Sequence, residues 1–150
     1  MSDINIKNKR ATFDYEFSEK DTEIAGLVLM GTEIKAIRAG KANLAGSYCI
    51  VNGREVFITG MHIAEHSRAG NQSHEPYRKR KLLLTRRQIN KFVKKLETKG
   101  FTIVPVKLFI DNNGRAKLKI ALAKGKKNYD KRQSIKERDV KRDMDRDNKF

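Results

Sequence analysis

The chain has 150 residues, enough for one domain with a hydrophobic core and too few for several domains. Lysine and arginine total 34 against 18 aspartate and glutamate residues, which gives a net charge of +16. This excess is larger than solubility requires and predicts a polyanionic partner, either nucleic acid or an anionic membrane surface. With 38% hydrophobic residues, the chain is not wholly disordered.

Two absences narrow the class of protein. The N-terminus carries no apolar run of the signal-peptide type, and the longest nearly apolar stretch, 24–31, is far shorter than the roughly 20 residues that span a bilayer. Cys49 is the single cysteine, which excludes an intramolecular disulfide and a cysteine-based zinc site. We therefore expect a cytoplasmic monomer that has no cofactor and does not bind membranes.

Hydrophobic patterning predicts several short strands. They are expected at 25–37 (bent near Gly31), 48–51, 55–59, 81–84, 102–110 and 117–123. Asn52-Gly53 and Asn113-Gly114 each lie between two of these strands, and Asn-Gly favours a hairpin turn because it tolerates positive φ. In the last strand leucine and isoleucine alternate with lysine, so one face is apolar and the other basic, as in a half-buried strand.

One amphipathic helix is predicted after the fourth strand. Its apolar stripe consists of Ile89, Phe92, Val93 and Leu96. The helix is expected over about 86–99, because Thr85 and Gln88 have capping-box spacing at its start and Gly100 follows its end. Short strands, tight turns and a single clear helix predict a mainly β fold, a small antiparallel barrel of OB type. A split sheet with helices on one side is the alternative.

The composition changes abruptly after Ala123. Residues 124–150 contain 11 lysine or arginine and 6 aspartate or glutamate residues, with few large apolar side chains. Ser134 and Glu137 have capping-box spacing, but an isolated helix of this kind is marginal in water. We therefore divide the chain into a barrel, 1–123, and a basic C-terminal tail, 124–150, that is disordered alone and helical on a partner.

Catalytic and metal-binding motifs are weak. His62 to His66 fits the H-x-x-E-H pattern of a metalloprotease, but this segment directly follows a strand and no ligand helix lies downstream. No nucleophile–base pair stands out either. We therefore predict no catalytic residues and no metal site. A nucleic-acid-processing enzyme with an acidic metal site stays open as an alternative on spacing alone.

Basic clusters are the strongest functional signal. They comprise Lys7 to Arg10, Lys35 with Arg38 and Lys41, Arg78 to Lys81, Arg86-Arg87, and Lys124 to Arg132. Tyr77 and Tyr129 lie inside two of these clusters, where an aromatic ring can stack on a base. The pattern favours an RNA-binding face, and a generic basic RNA-binding or ribosomal protein is an alternative to a dedicated partner RNA.

These clusters resemble the SsrA-binding protein (small protein B) family of bacterial trans-translation, over nearly the whole chain. The motifs that carry the resemblance are Asn8 to Ala11, Ala25-Gly26-Leu27, Gly31 to Arg38, Gly40 to Asn43, Pro76 with Arg78, Arg80 to Leu84, Gly125-Lys126-Lys127 and Asp130-Lys131-Arg132. The resemblance implies an OB-type barrel that binds the tRNA-like domain of transfer-messenger RNA. It also implies a tail that enters the decoding centre and mRNA channel of a stalled ribosome. The implied partners are that RNA, small-subunit ribosomal RNA and an elongation factor carrying aminoacyl-RNA, and no enzymatic activity is implied.

The resemblance also implies individual roles. The RNA-binding residues would be Asn8, Lys9, Arg10, Glu33, Lys35, Arg38, Lys41, Asn43, Arg78, Arg80, Lys81 and Leu83. The tail residues at the decoding centre would be Gly125, Lys126, Lys127, Tyr129, Asp130, Lys131, Arg132, Lys136 and Arg138. Strand alternation alone favours a core position for Leu83, whereas the resemblance implies an apolar contact with an unstacked base. Ile24 stands where the family often has an acid, so a contact by that acid is not carried over.

Overall fold

The computed structural model describes residues 4–65 and 74–125. These residues form ten strands: β1 (Asn5–Lys7), β2 (Tyr15–Glu16), β3 (Thr22–Leu27), β4 (Ala42–Asn43), β5 (Tyr48–Asn52), β6 (Glu55–Thr59), β7 (His62–Ile63), β8 (Arg80–Leu83), β9 (Phe101–Ile110) and β10 (Ala116–Gly125). They also form the helices α1 (Lys9–Asp14), α2 (Gly31–Arg38) and α3 (Arg86–Leu96), with a short 3-10 helix at Glu19–Asp21. None of the helices in the two described segments is long and apolar enough to cross a membrane.

Six of the strands close into an antiparallel barrel. Their order around the barrel is β9, β5, β6, β8, β3 and β10, and β10 pairs with β9 to complete the circle. β1 extends the barrel beside β5 by pairing with β9, β2 pairs with the end of β10, and β4 pairs with β7. The closed barrel confirms the predicted mainly β fold and excludes the split sheet.

Alternation along the strands fills the barrel with aliphatic side chains. Ile58, Leu108, Leu118 and Ile120 are fully buried, and the lysines between them on β9 and β10 point outward. Phe92 of α3 is also fully buried in this core, which anchors the helix on the barrel. Each such side chain contributes roughly 1.5–3 kcal/mol by leaving water, so the core rather than local propensity holds the strands together.

Both predicted hairpin turns are present. Gly53 has φ of 65° between β5 and β6, and Gly114 has φ of 78° between β9 and β10. Side chains other than glycine rarely adopt this region of φ, which explains why the Asn-Gly pairs identified the turns from sequence. The strands that flank them agree with the predicted ranges to within two residues.

The predicted strand at 25–37 is wrong. Its first part is β3, which ends at Leu27, and the remainder is helix α2. Ile34 and Ile37 are spaced by one helical turn and pack into the core, a pattern that short alternating runs hide. Elsewhere α3 ends at Leu96 rather than near residue 99, and β10 continues to Gly125, beyond the predicted barrel boundary.

The start of α3 provides a direct test of the capping-box prediction. The Gln88 N–H donates to Thr85 Oγ1 at 3.2 Å, and the Thr85 N–H donates to Gln88 Oε1 at 2.9 Å. Thr85→Ala leaves a helical N–H without its acceptor, so we expect the free energy of unfolding in urea to fall by about 1 kcal/mol. Thr85→Ser keeps the hydroxyl and should change it little; an equal loss in both variants would assign the effect to the methyl group.

Candidate nucleic-acid interface

Helix α2 carries exposed cations in a region that the sequence analysis predicted to be mostly strand. Lys35 and Arg38 are exposed and one helical turn apart, and Lys41 follows the helix on the same exposed segment. The Arg38 Nη2 atom donates to the carbonyl of Gly114 at 3.1 Å, which joins the helix end to the β9–β10 turn. The cations near this C-terminal end also interact favourably with the negative end of the helix dipole.

Glu33, on the inner side of the same helix, does not face solvent. Both Glu33 and Arg80 have no exposed surface, and the Arg80 Nε atom donates to Glu33 Oε2 in a buried ion pair. Neither residue offers an accessible atom to RNA. The structure does not support the predicted RNA contacts of Glu33 and Arg80, because both groups are buried and hold the barrel together.

The Arg80 guanidinium is a junction for several segments. It donates to the carbonyl of Met61 at 2.7 Å and to that of Pro76 at 3.1 Å, in addition to Glu33. A planar group with several donors in fixed directions can join strand, loop and helix in this way, whereas a lysine amino group cannot. Arg80 therefore fixes the segment before β8 against the start of α2.

Glu33 completes the junction from the helix side. Its Oε1 atom accepts the Met30 N–H at 2.8 Å, which caps the start of α2, and accepts Arg78 Nη2 at 2.6 Å. Burial raises the pKa of Glu33, but the hydrogen bonds from Arg78, the Met30 N–H and Arg80 outweigh it and hold the pKa below its ordinary value. The carboxylate consequently stays ionised between its two arginine partners.

A buried histidine adds a second attachment of the same loop. His74 Nδ1 lies 2.9 Å from Thr32 Oγ1, and its Nε2 lies 2.9 Å from the carbonyl of Ile63. Both ring nitrogens are thus engaged between α2 and β7. Together with the Glu33–Arg80 pair, this contact sets where Arg78 emerges, with its side chain one-third exposed.

The N-terminal cluster is divided between structure and surface. Asn8 is buried: its N–H donates to the carbonyl of Val106 and its Nδ2 to that of Pro105, both at 2.8 Å. Its Oδ1 atom has no partner among the described residues, so an acceptor remains beside an open cleft of about 210 Å³. Lys9 and Arg10 are exposed next to it, and Arg10 pairs with Asp14 at 3.4 Å.

An apolar surface lies where β3 meets β8. Leu83 is 54% exposed, and it stands beside Gly26, its partner across the two strands. A Cβ at Gly26 would lie 3.3 Å from Leu83 Cβ, so the glycine leaves a shallow notch against that side chain. Ile24, on the same face of β3, is 47% exposed. Leu83 is therefore at the surface, where the family resemblance placed it, and not in the core that alternation favoured.

The other residues of the barrel that the sequence singled out lie at the surface and contact residues nearby. Lys81 forms an ion pair with Glu55 at 3.7 Å, and both side chains are about half exposed. Asn43 is exposed, and its Oδ1 accepts the Ala45 N–H at 2.8 Å, so this side chain caps a turn. Tyr77 is 59% exposed with its ring 5.0 Å from that of His62, an accessible aromatic surface.

Other predictions concern residues outside the described segments. Lys126, Lys127, Tyr129, Asp130, Lys131, Arg132, Lys136 and Arg138 lie there, as does His66 of the metalloprotease-like pattern. Gly125 is the last residue described, and it pairs with Tyr15 at the end of β10. Within residues 4–65 and 74–125, no three histidine, cysteine, aspartate or glutamate side chains are grouped as metal ligands would be.

Arg115 is a surface cation that the sequence prediction omitted. It is exposed and follows Gly114, whose carbonyl accepts the hydrogen bond from Arg38. Arg115, at the β9–β10 turn, thus lies near the α2 cations although the two segments are far apart in the chain. The predicted turn at Asn113-Gly114 located this residue at a hairpin tip, but only the fold brings the tip to α2.

Comparison with known proteins assigns this barrel to a family. The family model described as SmpB protein matches residues 5–150. The chain belongs to the SmpB family. It is 54% identical over 143 residues to the SsrA-binding protein of Christiangramia forsetii, covering 95% of this chain and 90% of that protein. The SsrA-binding protein of Phocaeicola vulgatus is 55% identical, with 95% of this chain and 94% of the relative covered.

A solved structure also resembles this SmpB-family barrel. It is described as "tmRNA-SmpB: a journey to the center of the bacterial ribosome", and the superposition has a TM-score of 0.70 at 36% sequence identity. The match covers 88% of this chain and 94% of the other. The family resemblance inferred from the sequence is thereby confirmed.

The buried Glu33–Arg80 pair of this SmpB-family protein predicts how the free energy of unfolding depends on pH. Glu33→Gln leaves the buried Arg80 charge without its partner, so we expect the free energy of unfolding at pH 7 to fall by about 3–5 kcal/mol. The pKa of Glu33 is lowered on folding, so its stabilising contribution is complete above the ordinary value of about 4.5 and is lost as pH falls through the folded pKa.

The measurement is the unfolding free energy of both proteins in urea between pH 7 and pH 3. The deficit of Glu33→Gln should shrink below about pH 4.5, because the unfolded wild-type chain takes up a proton at Glu33 there while the folded carboxylate is protonated only at lower pH. Arg78→Gln removes only the partly exposed partner and should cost less at neutral pH. A deficit in Glu33→Gln that is constant with pH would show that the ionised carboxylate is not the stabilising species.

Proposed function

We propose that this chain binds transfer-messenger RNA through its barrel and acts with that RNA on the ribosome in trans-translation. The observation that carries the proposal is the identity of 54–55% with SsrA-binding proteins over 95% of the chain. Binding of this RNA requires no chemistry by the protein, in agreement with a family of RNA-binding proteins rather than enzymes. A protein that acts on the ribosome would act in the cytoplasm.

The exposed residues suited to RNA lie on two parts of the barrel. Lys35, Arg38 and Lys41 can neutralise phosphates, because their charged ends are at the surface of α2 and the segment after it. Leu83, beside the notch at Gly26, offers apolar contact to an unstacked base. Glu33 and Arg80 act indirectly in this proposal, by fixing the orientation of α2 relative to β8.

The basic tail has a separate role in the proposal. Its residues Gly125, Lys126, Lys127, Tyr129, Asp130, Lys131, Arg132, Lys136 and Arg138 would contact small-subunit RNA at the decoding centre. The composition of 124–150, with 11 basic residues and few large apolar ones, supports binding to a polyanion instead of packing on the barrel. An elongation factor carrying the charged RNA would complete the assembly.

The first test is binding specificity. The protein should bind the tRNA-like domain of transfer-messenger RNA, transcribed in vitro, at least tenfold more tightly than bulk transfer RNA at 0.15 M salt, a modest threshold beside the roughly 10³-fold or greater preference of specific nucleic-acid binding. Competition in a filter-binding assay measures the ratio directly. Equal competition would instead support a generic basic RNA-binding protein, the alternative that the net charge of +16 favours.

Removing charge at α2 tests the first of the two surfaces. Lys35→Gln with Arg38→Gln should weaken binding to the tRNA-like domain and lower the slope of log affinity against log salt by about 1.4–1.8, the value for two phosphate contacts. Lys94→Gln with Lys99→Gln, two exposed lysines on and after α3, is the matched control of equal charge loss. An unchanged slope in the α2 variant would remove these residues from the interface.

Truncation separates the barrel from the tail. A chain ending at Gly125 keeps the pairing of Lys124 and Gly125 with Glu16 and Tyr15, so β10 stays complete. We expect it to bind the tRNA-like domain within about threefold of the full chain, since the tail accounts for few of those contacts. Tagging of nascent chains on stalled ribosomes in a reconstituted system should be lost. Loss of RNA binding as well would contradict the division into two parts.

A further inference from the structure

The outer face of the barrel carries a row of lysines that strand register brings together. Lys7 of β1 is directly opposite Lys107 of β9, and Lys107 is directly opposite Lys119 of β10. Lys117 lies two residues from Lys119 on the same face. The alternating residues Leu108, Leu118 and Ile120 are fully buried, so these four lysines share the outward side. We call Lys7, Lys107, Lys117 and Lys119 the lysine face.

Opposed lysines on neighbouring strands repel one another. Directly opposite side chains have Cβ atoms about 4.5–5.5 Å apart, and like charges in that position destabilise a sheet. None of the ion pairs formed by the described residues includes Lys7, Lys107 or Lys117. Lys119 alone is neutralised, by Glu19 at 2.9 Å. The lysine face therefore concentrates positive charge that the barrel itself does not compensate.

Two of these lysines have groups of the sheet beside their charged ends. The Lys107 Nζ atom lies 5.3 Å from the centre of the Phe109 ring, and Lys117 Nζ would lie 3.7 Å from a Cβ at Gly26. Lys107 and Lys117 are half-buried, whereas Lys7 is exposed. A lysine can pack its aliphatic stem on the protein while its charged end stays in water, where an anion can reach it.

The lysine face is continuous with the apolar surface at β3 and β8. Across the sheet, one transverse row runs from Phe109 through Lys117 and Gly26 to Leu83. The neighbouring row runs from Lys7 through Lys107 and Lys119 to Ile24. Each row thus begins with charge or an aromatic ring and ends with an exposed aliphatic side chain. Lysines can bind phosphates, and exposed aromatic or aliphatic side chains can contact unstacked bases, so the lysine face and the apolar surface beside it match a nucleic-acid strand.

We propose that the lysine face is a phosphate-binding track, on which the backbone of the bound RNA crosses strands β1, β9 and β10 toward Leu83. This inference rests on the proposed function for the identity of the RNA. It adds Lys107 and Lys117, which belong to none of the clusters or interface residues named above, and Lys7, which belongs to the N-terminal basic cluster but not to the residues assigned to RNA. Lys119 exchanges its Glu19 partner for phosphate or keeps it at the edge of the track.

The test removes two charges that oppose each other on the lysine face. In the full-length protein, Lys7→Gln with Lys107→Gln should weaken binding to the tRNA-like domain about fivefold to tenfold at 0.15 M salt and reduce the salt slope by about 1.4–1.8. The matched control is again Lys94→Gln with Lys99→Gln, which removes the same charge from another exposed surface. Its affinity and slope should change by less than half as much.

The outcomes separate this inference from the proposed function. If wild type prefers the tRNA-like domain but the lysine-face variant binds as wild type does, only the track is wrong. If wild type shows no preference, the proposed function fails, and the salt slope on bulk transfer RNA still tests the track. Equal losses in the variant and its control would mean that net charge drives binding and would overturn the track, as would absence of RNA binding by the wild type.

Thermal unfolding of the free proteins provides a second readout. Removing the opposed like charges should stabilise the barrel, so the melting temperature of Lys7→Gln with Lys107→Gln should rise by about 1–4 °C at low salt. The rise should disappear at 1 M salt, where the repulsion is screened. A fall in melting temperature at both salt concentrations would show that the lysines stabilise the fold and would contradict the uncompensated charge on which the track rests.

Discussion

The buried ion pair between Glu33 and Arg80 is the constraint on which the arrangement of the surface depends. It joins α2 to β8, and the further hydrogen bonds of Arg80 reach the carbonyls of Met61 and Pro76. Such a pair gains little net stability over apolar packing, because removing two charges from water is costly. Its effect is geometric: four segments are held in one orientation, with the opposite side of α2 exposing Lys35 and Arg38.

Local signals in the sequence were sufficient for part of this fold. The hairpins at Gly53 and Gly114 and the start of α3 at Thr85 were identified because each depends on residues next to one another in the chain. Helix α2 was missed because its N-cap residue is Met30, which has none of the side-chain oxygens that mark a helix start in sequence, and only Glu33 caps the helix. Residues 25–37 contain apolar positions compatible with either period, and only tertiary contacts decide between them.

The candidate site divides in the same way. Resemblance to a family identifies residues that the family requires, but it does not distinguish a residue that touches RNA from one that positions another residue. Glu33 and Arg80 were assigned to RNA for this reason, whereas in this structure both are completely buried and position other residues. Conversely, Lys7 and Lys107 are 100 residues apart and lie in no common motif, so nothing in the sequence pairs them. The register of β1 against β9 places these two lysines opposite each other.

The charges on this barrel therefore fall into two classes: those that are paired within the protein and those that are left for a partner to neutralise. The Glu33–Arg80 pair is satisfied within the protein, and its hydrogen bonds are complete before any RNA binds. The lysine face is unsatisfied within the protein, so the free barrel retains repulsion that a polyanion relieves. A ligand that binds only the folded state stabilises it through its binding free energy. Relief of this repulsion contributes to the binding free energy, and salt reduces the same repulsion by screening it. The salt dependence of RNA binding is therefore coupled to the salt dependence of barrel stability.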